Sequence, residues 1–221
     1  MARPARPEPK VFLSDSLAAR GREWYCETYF GHATTELLLG EKSTSYIEDP
    51  GAAARAAEVL GATEIVASLR DPVERAVSNW RFSTDNGLET RPLEAALREN
   101  LAGPTTWDDG STSVSPFAYL ERGRYADYLQ PWFDAFPSGT HVVFMQDLVD
   151  RDDALDDLLR DLGVRTGFRP SNRGSVVNES REPAPDLPSG LVGGLRDYFA
   201  ASDRALSSRL ARELPWPTAA V

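Results

Sequence analysis

Residues 63–74 read T-E-I-V-A-S-L-R-D-P-V-E, and this stretch constrains the fold more than any other in the chain. Residues 63–69 form a short apolar run with the look of a buried strand. Asp71, Pro72 and Glu74 then supply an N-cap acid, a proline at the first helical position and a glutamate at the third, so a helix must begin there. Upstream, residues 35–42 (TELLLGEK) predict another buried strand, and the Ala-rich residues 51–60 after Asp49-Pro50 predict a helix. Strand, helix, strand, helix at this spacing is a right-handed crossover with its two strands parallel. Lys42 and Arg70 are then both expected at strand ends, on the carboxyl edge of the sheet, where open α/β folds bind ligands.

Further along, residues 123–136 have helical apolar spacing despite Pro131, residues 141–145 (HVVFM) predict a third strand, and residues 152–162 an acidic amphipathic helix. Residues 191–214 supply a last helical region. The expected fold class is therefore α/β, a parallel sheet flanked by helices. No repeat, low-complexity tract or long like-charge block divides the chain, so residues 1–221 read as a single domain.

Charge narrows the function. With 24 Lys and Arg against 34 Asp and Glu, the net charge is −10, and general nucleic-acid binding is disfavoured unless positive charge is concentrated locally. Any anion must be gripped at one site. One cysteine and two histidines leave no internal disulfide and no structural zinc site, so no metal is expected. The opening residues carry Arg3, Arg6 and prolines with no apolar stretch after them, which predicts a cytoplasmic protein without a membrane span. Lys10 and Lys42 are the only lysines.

Arg70 stands immediately before the capped helix, whose free N–H groups and dipole add to its attraction for an anion such as phosphate. Pairing of Arg70 with a nearby carboxylate is the alternative, since surface ion pairs are common. Ser78, further along the same helix, is a second possible donor. Gly40-Glu41-Lys42-Ser43-Thr44 superficially suggests a nucleotide-binding P-loop, but Glu41 separates the glycine from the lysine and no glycine stands five residues before Gly40. The spacing of a nucleoside-triphosphatase loop therefore fails in this segment, and what survives is a lysine at a strand end.

Four stretches together resemble the sulfotransferase family, in particular its glycosaminoglycan (heparan-sulfate) branch. Glu8-Pro9-Lys10-Val11-Phe12 with Gly21 to Tyr25 is similar to K-E-P-x-F-F followed by G-x-x-W-Y, and Gly40 to Tyr46 is similar to G-E-K-[ST]-P-x-Y. Arg70-Asp71-Pro72 through Ser78 is close to R-[DN]-P-x-x-R-A-x-S, and Gly123, Tyr125, Leu129, Trp132, Phe136 and Pro137 match the helix that follows it. The resemblance implies a P-loop-NTPase-like sulfotransferase fold and use of 3′-phosphoadenosine 5′-phosphosulfate (PAPS) as co-substrate, with a small-molecule or glycan acceptor. It implies that Arg70 and Ser78 bind the 3′-phosphate, that Lys42 lies near the transferring sulfuryl group, and that Glu8 is the general base. Asn178-Glu179-Ser180-Arg181 falls where the family closes a loop over the nucleotide, making Arg181 a further phosphate contact.

The family opens with a strand, a K-x-G-[ST]-[ST] phosphosulfate loop and a helix, whereas this sequence begins almost at the K-E-P-like segment. The expectation is a sulfotransferase fold lacking that first strand, loop and helix. Such a loss would weaken orientation of the sulfuryl group and expose a sheet edge, making self-association plausible. Two functions follow as alternatives: a PAPS-dependent transferase, or an anion- or nucleotide-binding module that has lost catalysis. The polar residues 102–116 read as a binding loop in which Trp107 either contacts the acceptor or anchors the loop.

Overall fold

A computed structural model of the chain describes residues 4, 8–36, 38–108, 115–171 and 185–219. In chain order it contains α1 (Asp15–Ala18), α2 (Gly21–Phe30), α3 (Ala52–Leu60), β1 (Ile65–Leu69), α4 (Pro72–Asp85), α5 (Leu93–Ala102) and α6 (Tyr125–Ala135). There follow β2 (Thr140–Phe144), α7 (Met145–Asp150), α8 (Ala154–Asp161) and α9 (Ser189–Leu210). Short 3-10 turns span Val11–Leu13, Thr44–Glu48 and Glu121–Gly123.

The strand-to-helix turn forms as its residues dictate. β1 stops at Leu69, Asp71 caps α4 by accepting the Val73 N–H at 2.8 Å, and Pro72 occupies the first turn. β1 pairs with β2, and the bond from Ile65 N–H to the Gly139 carbonyl joins the two strand starts, as a parallel pair requires. The expected helices at 51–60, 123–136, 152–162 and 191–214 appear as α3, α6, α8 and α9, and α2 and α5 add to them.

The sheet is smaller than the pattern suggests. Among the described residues of the 35–42 segment none belongs to a strand: Leu39 is an isolated bridge residue, and Leu38 and Leu39 are exposed. An apolar run becomes a strand only where a neighbouring strand takes its backbone groups, and among the described residues the sheet has only β1 and β2. The α/β expectation therefore resolves, among the described residues, into a mostly helical fold with a small two-stranded parallel sheet. Lys42, expected at a strand end, instead follows this irregular segment, whereas Arg70 does follow β1 directly.

The chain forms two compact units, one of Met1–Ile65 with Tyr128–Thr140 and the other of Val66–Asp127 with His141–Val221. The first unit has an aromatic core: Phe12 packs against Tyr25 and Tyr46 with ring centroids 5.6 and 5.2 Å apart, over the alanines of α3. The core of the second joins Val73, Ala76 and Trp80 of α4 to Leu93 and Leu97 of α5 and to Leu191, Leu195 and Phe199 of α9. Gly123 sits where a Cβ would lie 2.6 Å from the Phe199 ring and 2.9 Å from Pro72, so this motif glycine is fixed by close packing.

Candidate active site

In the first unit, the sequence brings two distant segments together. Lys42 Nζ lies 3.5 Å from Glu8 Oε1, across 34 residues of chain. Thr44 Oγ1 donates to the same Glu8 oxygen at 3.3 Å. The lysine side chain is 79% exposed and that of Glu8 is 31% exposed, so the ammonium can reach a ligand without leaving a buried partner behind. Glu8 and Lys10 hold left-handed backbone, with φ of 50° and 57°. L residues adopt that region when their surroundings impose it, and such residues cluster at functional sites.

Glu41, beside this pair, is the acid of the G-E-K motif, to which the sequence assigned no role of its own. Both of its carboxylate oxygens are buried without a partner in close hydrogen-bond geometry. Burial raises its pKa; the facing hydroxyls of Tyr46, Tyr25 and Ser43 work against that rise and the Glu8 carboxylate adds to it. Burial and the Glu41 carboxyl likewise push both tyrosine hydroxyls up.

In the second unit, Arg70, Glu74 and Ser78 follow one another at helical spacing along one face of the chain entering α4. Arg70 Nε donates to Glu74 Oε2 at 3.1 Å, and both side chains are well exposed. The carboxylate-pairing alternative for Arg70 is thus realised, in a solvent-screened pair that an anion can displace. Ser78 is half-buried on α4. The start of α4 differs from the open anion cradle expected there: Asp71 itself takes an amide, and Arg196 of α9 grips its carboxylate with a two-pronged pair at 2.8 and 2.6 Å. An acid at the N-cap already satisfies part of the helix end and its dipole, so the guanidinium of Arg70 is the main attraction for an anion here. Tyr125, whose hydroxyl burial pushes up to about 12, donates to the Arg70 carbonyl at 2.8 Å and fixes that backbone.

Arg181 and the segment around it lie outside the described residues, as do residues 109–114 of the polar loop, while Trp107 is half-buried. Thus Glu8 and Lys42 meet in one unit, and in the other Arg70 immediately precedes the helix that carries Ser78. Glu41, Tyr25 and Tyr46 lie within the matched motifs but were given no role there, and Arg196 was not foreseen at all. Arg196 meets Asp71 across 125 residues, which no local pattern reports. Glu41 did have a signal, an acid directly before one of two lysines with Tyr46 close behind. Among the described residues no helix is long and apolar enough to cross a membrane, and no cluster of His, Cys, Asp and Glu is arranged to hold a metal.

No family model matches the chain. Its fold superimposes on the crystal structure of a sulfotransferase from Alicyclobacillus acidocaldarius with a TM-score of 0.73 at 21% identity, covering 96% of this chain and 86% of that one. The fold is that of a sulfotransferase. In sequence the chain is 34% identical over 76 residues to the membrane-associated sulfotransferase kil1 of Dictyostelium discoideum, 34% of this chain and 16% of that protein. It is 28% identical over 135 residues to heparan sulfate glucosamine 3-O-sulfotransferase 3B1 of Mus musculus, covering 60% and 31% of the two proteins. With the bifunctional heparan sulfate N-deacetylase/N-sulfotransferase 1 of Caenorhabditis briggsae it shares 26% over 137 residues, 60% of this chain and 15% of that protein. The chain is thus distantly homologous to heparan sulfate sulfotransferases and spans under a third of the length of these curated relatives.

Proposed function

We propose that this chain transfers a sulfuryl group from PAPS to a hydroxyl or amine of a small-molecule or glycan acceptor. The observation that carries this reading is the contact between Glu8 and Lys42, two residues to which the motifs assign complementary roles and which the fold brings within 3.5 Å. Homology to sulfotransferases supports it. When bound, PAPS supplies the sulfuryl group and leaves as 3′-phosphoadenosine 5′-phosphate.

The chain's own residues then divide the work. Glu8 accepts the proton that the acceptor loses as its oxygen or nitrogen bonds to sulfur, and it must stand within hydrogen-bond reach of that atom. Lys42, a compact ammonium, offsets the negative charge that grows on the departing phosphate oxygen as its bond to sulfur breaks. Arg70 offers a planar set of donors to the 3′-phosphate and Ser78 one hydroxyl, a donor set that fits a tetrahedral dianion.

Titration of 3′-phosphoadenosine 5′-phosphate by calorimetry tests the anion site. Arg70→Ala is expected to weaken binding by about 1.5–3 kcal/mol, the scale of a hydrogen bond to a charged group. Unchanged affinity would remove Arg70 from the site. Binding by the parent chain together with an absence of sulfuryl transfer across hydroxyl and amine acceptors would instead identify a nucleotide-binding module.

A further inference from the structure

A guanidinium that is to receive an anion binds best when it is already aimed, since each freedom lost on binding costs affinity. The Arg70 side chain is well exposed, so its aim depends on the backbone that carries it. That backbone is held on both sides by residues distant in sequence. On one side the Tyr125 hydroxyl donates to the Arg70 carbonyl at 2.8 Å. On the other, Arg196 donates to both oxygens of Asp71 at 2.8 and 2.6 Å, and Asp71 in turn accepts the Val73 N–H. The Arg196 and Asp71 side chains are only 16% and 15% exposed. A pair so far out of water adds little stability over apolar residues of the same size, and what it supplies here is orientation.

Both holds lead back to α9. Arg196, Phe199 and Ser202 follow at intervals of three along one face of that helix, with Asp203 beside them. Ser202 Oγ accepts the N–H of Ala126 at 3.1 Å. Ala126 is in the first turn of α6, where amides have no partner within their own helix, so Ser202 fixes the turn from which Tyr125 projects. Asp203 accepts the Trp216 indole N–H at 3.2 Å, and the Trp216 ring lies edge-on to Tyr125 with centroids 6.1 Å apart.

We propose that α9 positions the anion site: Arg196 through Asp71, and Ser202 through the α6 turn and Tyr125, together hold the Arg70 backbone so that its guanidinium is aimed at an incoming phosphate. The proposal rests on the reading of Arg70 as a ligand of the 3′-phosphate. Arg196, Ser202 and Tyr125 are positioning residues in this scheme, touching no ligand and acting through Arg70.

Titration of 3′-phosphoadenosine 5′-phosphate into the full chain, with and without the Arg70 side chain, tests the positioning. Tyr125→Phe removes one hydroxyl and keeps the ring against Trp216, and it is expected to weaken binding at least about threefold, as are Arg196→Ala and Ser202→Ala. Arg70→Ala keeps the carbonyl that Tyr125 holds. In that background each of the three substitutions should change affinity by less than about twofold, because the side chain they aim is gone. A merely structural role would give the same loss in both backgrounds. That result overturns the proposal, as does unchanged affinity in the single variants. Tyr125→Phe and Ser202→Ala decide the matter if Arg196→Ala fails to fold.

Amide hydrogen exchange without ligand supplies the second arm. The Val73 amide in Arg196→Ala and the Ala126 amide in Ser202→Ala should exchange at least about tenfold faster than in the parent, with the α5 amides of the same unit unchanged. Unchanged exchange at both amides, or equal acceleration throughout α5, overturns the proposal. If the parent chain binds no 3′-phosphoadenosine 5′-phosphate, or Arg70→Ala binds it as the parent does, the reading of Arg70 falls, while the exchange pattern still decides whether α9 holds the turn. The same pattern decides if Arg70→Ala binds too weakly to titrate.

Discussion

Lys42 is the residue at which exposure and chemistry separate most clearly. Its side chain is 79% exposed and its contact with Glu8 is a single 3.5 Å approach, so the pair contributes little to stability. Lys42→Ala should leave the melting temperature essentially unchanged and lower kcat for sulfuryl transfer by about a hundredfold, the scale of one lost transition-state donor. Affinity for 3′-phosphoadenosine 5′-phosphate should fall far less. Thermal melting, calorimetry and steady-state rates on one preparation check this, and equal losses in affinity and turnover would assign Lys42 to ground-state binding. Arg70 shows the reverse: its partner Glu74 stands four residues on, in the first turn of α4, and the phosphate proposed for Arg70 would replace that partner.

At the scale of elements, what was legible was whatever is encoded locally. The α4 start follows from three adjacent residues, and Asp71, Pro72 and Glu74 sit where cap chemistry puts them. The strand expected over residues 35–42 fails because its existence depends on a neighbour, and no composition reports whether one is present. The same limit hides the grip of Arg196 on Asp71 and the burial of Glu41, both of which depend on packing. Gly123 lies between these cases: the motif marks it, and only the packing explains it. Because a Cβ there would meet the Phe199 ring and Pro72, Gly123→Ala should destabilise by about 1–3 kcal/mol through overpacking. That opposes the gain often seen when glycine is replaced by alanine at a position that tolerates it. Urea unfolding measures the difference, and a stabilised variant would show that the α9 contact yields easily.

For the molecule as a whole, two buried acids in the second unit should shape stability against pH in opposite directions. Burial alone would raise Glu89, but bonds from the side chain and backbone of Arg91 and from the Tyr119 hydroxyl outweigh it and hold the carboxyl at about 2. Its folded-state pKa is depressed, so its contribution is present above the ordinary value of 4.5 and is lost as pH falls toward 2. Asp203 of α9 is only 1% exposed, and burial raises it from 3.8 to about 6 despite the Trp216 indole N–H at 3.2 Å and the nearby charge of Arg196. Here the unfolded chain gives up its proton first, so stability declines as pH rises from about 4 to 6 and stays lower beyond. These two groups together place their combined optimum in the mildly acidic range. Asp203→Asn keeps the acceptor for Trp216 and removes the ionisation. Its melting curve should coincide with that of the parent near pH 4 and lie above it at pH 7, by an amount on the order of 1–3 kcal/mol. A gap of equal size at both pH values would mean that Asp203 does not titrate in the folded protein, and that the substitution acts through packing around Trp216.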